Sequence, residues 1–221
     1  MTESALHKRR VFIVDDHPIV RHGFVRLINH ESDLTVCGEA SDGAEALPAI
    51  LEASPDLAII DISLTGPNGL ELTKQLLKKC PDLRVLVMSM HDEDMCSERA
   101  YRAGAKGYLM KHEAMDTVLF AIRTVLEGSS YFSAQTQKQH AAAPSDEKSP
   151  VECELIRQLS DREFEVFRFI GQGYGSRQIA KTLKLSVKTV DAHREHIKTK
   201  LCIKSAAELI ECAVRHALKN T

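Results

Sequence analysis

Short apolar runs alternate with helical stretches over the first 127 residues of this 221-residue chain, and this alternation restricts the fold more than any other feature. The apolar runs at 11–14, 34–40, 57–60, 84–88 and 107–109 predict strands. Apolar residues spaced three and four apart predict helices at about 18–28, 44–53, 70–77, 93–103 and 115–125. Five such β–α units predict an α/β doubly wound, five-stranded parallel sheet of order 2-1-3-4-5.

Polar residues stand at the carboxyl ends of four predicted strands: Asp15 and Asp16, then Asp61, Ser89 and Lys111. These ends are neighbours in such a sheet, and ligands bind there. Three adjacent carboxylates repel one another and need a cation, and an all-oxygen site suits Mg²⁺. A nucleophilic aspartate, a lysine and a hydroxyl around that ion are the groups needed for phosphoryl transfer to a carboxylate. Taken alone, an aspartate in the position of Asp61 is more often a solvated turn residue.

Charge and cysteine usage narrow the class of protein. Residues 1–150 carry 16 Lys and Arg against 22 Asp and Glu, a net charge of −6, whereas residues 151–221 carry 13 against 9, a net charge of +4. An acidic front and a basic back suit a regulatory module joined to a polyanion binder. The six cysteines form no C-x-x-C pair, which favours reduced thiols. With no long apolar segment and no signal peptide recognisable, we expect a cytoplasmic protein without membrane contact.

The composition changes after Glu127, and residues 128–158 are polar with alanine, serine and proline, as in a linker. Ser160 and Glu163 then form an S-x-x-E capping box that predicts the start of a helix. Ser176 and Ser186 are predicted caps of two further helices, and a fourth helix is expected at 205–218. Two short helices joined by a tight turn predict a helix-turn-helix. A plain four-helix bundle is the alternative.

Residues 9–127 resemble the flavodoxin-like receiver domain of bacterial response regulators. The resemblance rests on five motifs: Val14-Asp15-Asp16-His17, Ile60-Asp61-Ile62, Gly69, Met88-Ser89-Met90 and Gly107-Tyr108-Leu109-Met110-Lys111. It implies that Asp61 is the phosphoacceptor. It also implies that Mg²⁺ is held by Asp16, Asp61 and the Ser63 backbone carbonyl, with Asp15 acting through water.

The same resemblance implies that Ser89 and Lys111 bind the phosphoryl oxygens, and that the Tyr108 rotamer follows the state of Ser89. Ser63 and His91 each lie two residues beyond Asp61 or Ser89. We therefore expect them to flank the path of attacking water and to tune dephosphorylation. The protein would catalyse only its own phosphorylation and dephosphorylation, and a sensor histidine kinase would be its partner.

Residues 159–221 resemble the LuxR-type helix-turn-helix domain of NarL/FixJ-class regulators. The matching pieces are Leu159-Ser160-Asp161-Arg162-Glu163, Gly173, Ile179-Ala180, the run Leu185-Ser186-Val187-Lys188-Thr189-Val190, His193 and Lys200-Leu201. In this resemblance the third helix reads double-stranded DNA, through Lys188, Thr189, Asp191, Ala192, Arg194, Glu195, Lys198 and Lys200. Asp191 and Glu195 either accept hydrogen bonds from bases or pair with neighbouring cations. Cys202 replaces a common glycine, and a left-handed helix end there would cost about 1 kcal/mol.

The resemblance implies a transcription regulator divided into an N-terminal extension (1–8), a receiver domain (9–127), a linker (128–158) and a DNA-binding domain (159–221). Phosphorylation would release the DNA-binding domain and form a homodimer. Two other classes fit the sequence less well. A haloacid-dehalogenase-type phosphatase would show Asp-x-Asp, but Ile62-Ser63 follows Asp61. A flavodoxin-like flavin binder would offer amides and hydroxyls in place of these acids.

Overall fold

The computed structural model describes residues 8–64, 66–90, 93–133, 136 and 155–219. These residues divide into two compact units, one up to Thr136 and the other from Leu155 onward. His91, which is predicted to tune dephosphorylation, lies outside the described residues. No helix in the described ranges is long and apolar enough to cross a membrane.

The first unit is a parallel sheet covered by helices on both faces. Its ten elements, in chain order, are β1 (Arg9–Val14), α1 (Pro18–His30), β2 (Leu34–Ala40), α2 (Gly43–Ala53), β3 (Leu57–Asp61), α3 (Gly69–Lys79), β4 (Arg84–Ser89), α4 (Glu93–Arg102), β5 (Gly107–Met110) and α5 (Met115–Leu126). The strand order is β2-β1-β3-β4-β5, which confirms the predicted topology. Every pair of neighbouring strands is parallel.

The apolar runs form the core of the first unit, because helices cover both faces of the sheet and leave β3 with no side facing solvent. All five residues of β3 are buried, including its terminal Asp61. Helices α1 and α5 pack on one face of the sheet through Phe24, Ile28 and Ile122. Burial on both faces explains why the strands are continuous apolar runs and do not alternate with polar residues.

The first unit extends beyond α5, into the segment whose composition is that of a linker. Tyr131 forms a parallel bridge with Gly107 of β5, and its carbonyl accepts a hydrogen bond from the Tyr108 N–H at 2.8 Å. The ring of Phe132 is buried and lies edge-on to Tyr101, with ring centres 5.4 Å apart. The Thr136 hydroxyl lies 3.0 Å from that of Ser97 in α4. The open edge of β5 is therefore partly covered by its own chain.

The second unit contains four helices: α6 (Asp161–Gly171), α7 (Ser176–Thr182), α8 (Val187–Lys200) and α9 (Ala206–Lys219). Its core includes Phe167, Ile179, Val190, Ile197 and Leu209, all fully buried. The predicted capping box is confirmed, because the Ser160 hydroxyl accepts from the Glu163 N–H and the Glu163 carboxylate accepts from the Ser160 N–H.

Of the two other predicted helix caps, one is confirmed and one is wrong. Ser186 caps α8 as predicted, accepting the Thr189 N–H at 3.0 Å. The prediction that Ser176 caps α7 is wrong: Gly175 is the N-cap, Ser176 is the first helical residue, and Gln178 accepts the Gly175 N–H. Gln178, three residues after Gly175, thus makes the half of a capping box in which a side chain accepts the N–H of the cap residue. Cys202, just past α8, has the expected left-handed backbone, with φ 56°.

Candidate functional site

The acidic site lies at the carboxyl edge of the sheet, where register places its groups side by side. Val14 is level with Ile60 across β1 and β3, so the residues that follow, Asp15 and Asp61, share one edge. Ser89 ends β4, and its carbonyl accepts the Lys111 N–H at 2.8 Å. Parallel pairing therefore brings residues from four separate strands into one site.

Asp61 is the buried centre of the site. It is 1 % exposed, which excludes the solvated turn residue considered from the sequence. Its Oδ2 lies 2.8 Å from Lys111 Nζ, and the same ammonium lies 2.7 Å from Asp15 Oδ2. Asp61 Oδ1 accepts the Ser63 N–H at 3.2 Å. One lysine thus joins the acids at the ends of β1 and β3.

The pKa values of this group are set by burial and by mutual charge. Burial raises the pKa of Asp61 to about 6, with Lys111 acting in the opposite direction and Asp15 adding to the rise. Burial alone would lower the pKa of Lys111, but the charges and hydrogen bonds of Asp61 and Asp15 outweigh it, so that pKa is raised. Lys111 therefore stays protonated at neutral pH and holds Asp61 ready as a carboxylate.

The donor set fits a divalent cation. Ligand atoms of Asp15, Asp16, His17 and Asp61 all lie within 4.8 Å of one another. Asp15 Oδ2, Asp16 Oδ1 and Asp61 Oδ2 are buried, and their close neighbours are the Lys111 ammonium and a ring nitrogen of His17. Three carboxylates and one ammonium leave a charge of −2 when all are ionised. Hard oxygen donors with that charge suit Mg²⁺.

Ser89 and Tyr108 lie inside the protein beside this edge. Ser89 is fully buried at the end of β4, and Tyr108 in β5 is 3 % exposed. Ser63 follows β3 and contributes its N–H to Asp61, as described above. The acids, Ser63, Ser89 and Lys111 are thus brought to one edge of the sheet. Tyr108 is level with Val87, two residues before the end of β4, and His91 is outside the described residues.

Gly69 is required by a close contact behind the acceptor. A Cβ built on Gly69 would lie 1.9 Å from the Asp61 carbonyl oxygen, so only glycine fits. The Gly69 N–H donates to the Ile62 carbonyl at 2.9 Å. This contact fixes the loop after β3 against the start of α3.

Arg21 supports the site, although no role was predicted for it. Its Nη1 donates to the Asp15 carbonyl at 2.7 Å, and its Nε donates to Glu39 at 3.1 Å. The signal was present in the sequence, because a cation near the N-terminus of a helix opposes the helix dipole. Such a residue needs a partner, and here the partners are the backbone of Asp15 and the side chain of Glu39.

The candidate nucleic-acid interface is the outward face of α8, in the second unit. Lys188, Asp191, Ala192 and Glu195 are exposed and follow helical spacing, while Val190 and Ile197 are buried on the opposite face. Thr189 is exposed at the helix start, with its hydroxyl 2.7 Å from that of Ser186. Arg194 is partly exposed.

Two of the predicted DNA-contacting cations are paired within the second unit. Lys198 Nζ lies 2.8 Å from Glu195, which matches the alternative that the acid pairs with a neighbour. Lys200 Nζ lies 2.6 Å from Glu163 Oε2, the oxygen that also accepts the Ser160 N–H. Burial raises the pKa of Glu163, but the bonds from Lys200 and Ser160 outweigh it and lower that pKa. Lys200 therefore joins the end of α8 to the start of α6.

Comparison with known proteins identifies both units. The family model for "Response regulator receiver domain" matches residues 11–123, and the model for "Bacterial regulatory proteins, luxR family" matches residues 157–213. The oxygen regulatory protein NreC of Staphylococcus epidermidis is 36% identical over 222 residues, which covers 95% of this chain and 98% of that protein.

Solved structures agree with these matches. A LuxR-family two-component response regulator from Aurantimonas sp. SI85-9A1 is 34% identical with a TM-score of 0.56, covering 61% of this chain and 96% of that one. RcsB from Salmonella enterica serovar Typhimurium, solved bound to the rprA promoter, shares the fold at 22% identity with a TM-score of 0.62, covering 94% of this chain and 99% of that one. The chain belongs to the response regulators, transcription regulators in which a receiver domain is joined to a LuxR-type DNA-binding domain.

Proposed function

We propose that this protein is a phosphorylation-controlled DNA-binding regulator whose phosphoacceptor is Asp61. The observation that carries this proposal is the buried Asp61 carboxylate, in contact with Lys111 and beside Asp15 at one edge of the sheet. Asp61 is held in place by Lys111 on one oxygen and by the Ser63 N–H on the other, and an aspartate carboxylate positioned in this way can act as a nucleophile. The receiver domain would be residues 9–127 after an extension at 1–8, with a linker at 128–158 whose first part packs against the receiver domain through Tyr131, Phe132 and Thr136, and the DNA-binding domain at 159–221.

The reaction is a transfer of one phosphoryl group. An Asp61 oxygen forms a bond to phosphorus, the phosphorus–nitrogen bond of a kinase phosphohistidine breaks, and the histidine leaves. Lys111 and the Ser89 hydroxyl stabilise the phosphoryl oxygens that come to lie beside them. Asp15, Asp16, Asp61 and the Ser63 carbonyl would hold Mg²⁺, which neutralises charge on the transferring group when bound.

The partners follow from the two units. A sensor histidine kinase supplies the phosphoryl group, as the two-component relative from Aurantimonas suggests. Double-stranded DNA binds the exposed face of α8, with Lys188 and Thr189 on phosphates. Asp191, Ala192 and Glu195 share the outward face of the helix, and Arg194, Lys198 and Lys200 extend the basic surface. Phosphorylation releases the DNA-binding domain and forms a homodimer, which presents two reading helices to sites about one turn apart. These events take place in the cytoplasm.

The test is chemical phosphorylation of the purified full-length protein. With Mg²⁺ and acetyl phosphate, intact-mass spectrometry should show one added phosphoryl group that is lost in hydroxylamine, as an acyl phosphate is. Asp61→Asn should remove the label. Asp56→Asn is the matched control, since Asp56 lies at the opposite end of the same strand and binds Arg9 and Arg10. Equal labelling of Asp61→Asn and the parent would overturn the assignment.

Dephosphorylation provides a second measurement on the same protein. We propose that Ser63 and His91 border the path of the attacking water, since each lies two residues past a site residue. His91→Ala should change the lifetime of the phosphoprotein more than its rate of formation. Unchanged lifetimes would remove His91 from this role.

A further inference from the structure

His17 directs a ring nitrogen into the acidic cluster. Its Nδ1 lies 2.6 Å from Asp16 Oδ1 and 3.4 Å from Asp15 Oδ1. The ring is held there by the backbone, because His17 is the N-cap residue of α1 and its own N–H donates to Asp15 Oδ1 at 2.8 Å. The side chain is 61% exposed, so it forms the outer wall of the site.

The metal-ligand set of this pocket is therefore mixed. Three carboxylates and one imidazole present ligand atoms that lie within 4.8 Å of one another. Oxygen ligands suit Mg²⁺, whereas imidazole suits transition ions. A nitrogen donor adds little for Mg²⁺ but strengthens binding of Co²⁺, Ni²⁺ or Zn²⁺.

We propose that His17 Nδ1 is a metal ligand, and that it makes the acidic pocket a site for divalent transition ions in competition with Mg²⁺. The proposal rests on the proposed function only in requiring that the pocket hold a divalent cation. It adds that the pocket discriminates between classes of ion, and that one residue outside the acidic set provides the discrimination. A transition ion and Mg²⁺ would exclude each other because both use Asp15, Asp16 and Asp61.

A simple hydrogen bond from the ring N–H to Asp16 is the competing explanation for the same distances. In that case the ring would leave metal preference unchanged, because the carboxylates alone would bind both ions. The two explanations therefore differ in the ratio of Co²⁺ to Mg²⁺ affinity, and each affinity can be measured without any phosphoryl transfer.

The test uses the full-length protein, with Co²⁺ and Mg²⁺ titrated separately by calorimetry. His17→Asn retains a residue well suited to an N-cap and keeps an oxygen donor, but it removes the ring nitrogen. His22→Asn, one turn further along α1 and exposed, is the matched control. Repeating the Co²⁺ titration in excess Mg²⁺ isolates the pocket from the other histidines and cysteines of the chain.

We expect the parent and His22→Asn to bind Co²⁺ more tightly than Mg²⁺, at one site that excess Mg²⁺ blocks. His17→Asn should weaken Co²⁺ binding by about tenfold or more and leave Mg²⁺ affinity nearly unchanged, as removal of a ligand or its support does elsewhere. The parent with Co²⁺ should also show a hyperfine-shifted, exchangeable ring proton in its NMR spectrum, and His17→Asn should lose it.

Equal Co²⁺ affinities in His17→Asn and His22→Asn, or Co²⁺ binding that excess Mg²⁺ does not block, would overturn the role of His17. The proposed function would survive that result if Mg²⁺ still bound. If Mg²⁺ did not bind the parent and Asp61 was not labelled, the proposed function itself would fail.

Discussion

A buried carboxylate whose pKa is raised makes the receiver unit sensitive to pH in a defined direction. The pKa of Asp61 is about 6 in the folded protein because burial disfavours its charge. Its ordinary value is near 4, so the folded state binds the proton more tightly than the unfolded state. The stability that this proton contributes is present at low pH and is lost as pH rises through about 6.

We expect the free energy of unfolding of the metal-free protein to fall between pH 4 and pH 7 by up to about 3 kcal/mol on account of Asp61. Asp61→Asn carries no titrating group there and should lack this part of the pH dependence. Urea denaturation of both proteins in chelator, at a series of pH values, measures the difference between them. Parallel curves would show that Asp61 titrates normally.

Two lysines of α8 have different predicted roles: one contacts DNA, and the other makes a contact within the second unit. Lys188 is exposed, whereas Lys200 bonds to the buried carboxylate of Glu163. Lys200→Ala should lower the free energy of unfolding by about 1–3 kcal/mol, as expected for a hydrogen bond to a charged group. Lys188→Ala should leave stability unchanged, weaken binding to every DNA sequence and make the salt dependence less steep.

Thermal unfolding and DNA titrations at several salt concentrations measure both effects. Loss of DNA affinity in Lys200→Ala, with stability intact, would instead make Lys200 a direct phosphate contact.

Strands and helices were predictable wherever the hydrophobic periodicity was strong. Helix caps and the pairing of strand edges were less predictable, because they depend on contacts with neighbouring residues. The run before Asp61 is apolar on both faces, as in a covered parallel strand, and the sheet order was inferred from the five β–α units together. The cap of α7 is Gly175 and not the predicted Ser176, because glycine is also tolerated at an N-cap and Gln178 accepts the Gly175 N–H. The bridge from Tyr131 to β5 could not be predicted, since its segment is short and polar in composition and its pairing depends on tertiary contact.

The same limit applies within the site. Residues at strand ends could be identified because parallel register collects them, but ion pairs between elements could not. The pairing of Lys200 with Glu163 joins residues 37 apart in sequence and required the packed helices. The Glu195–Lys198 pair, by contrast, is three residues apart and was among the alternatives that helical spacing allowed.

Helix α8 carries acids on a surface proposed to bind a polyanion, and their role can be tested through Glu195. If Glu195 reads bases, Glu195→Gln should change the preferred DNA sequence and leave non-specific affinity nearly unchanged. Because Glu195 pairs with Lys198, the opposite outcome is expected if the pair only neutralises that lysine: affinity should rise on all sequences, with a steeper salt dependence.

Selection of bound sequences from a random pool, together with salt titrations on one fixed duplex, distinguishes the two outcomes. Glu211→Gln is a suitable control, since Glu211 is an exposed acid on α9 that pairs with Arg215.

At the scale of the whole molecule, opposite charges are tethered within one chain. The net charge is −6 for residues 1–150 and +4 for residues 151–221. A tether raises the effective concentration of one part near the other to about the millimolar range. Even a weak attraction between the acidic and basic parts would therefore compete with DNA, and phosphorylation can relieve that competition only by changing the contacts available in each state.

The fragment 151–221 tests this competition directly, because the second unit has its own buried core around Phe167 and Val190. We expect the fragment to bind promoter DNA without any phosphodonor, and more tightly than the unphosphorylated full-length chain. Adding salt should reduce the difference in DNA affinity between the fragment and the full-length chain, because salt also screens the attraction between the acidic and basic parts. Sedimentation should show the full-length protein as a monomer before phosphorylation and a dimer afterwards. If the fragment binds no better than the unphosphorylated chain, the acidic part does not cover helix α8, and activation must then operate through dimerisation alone.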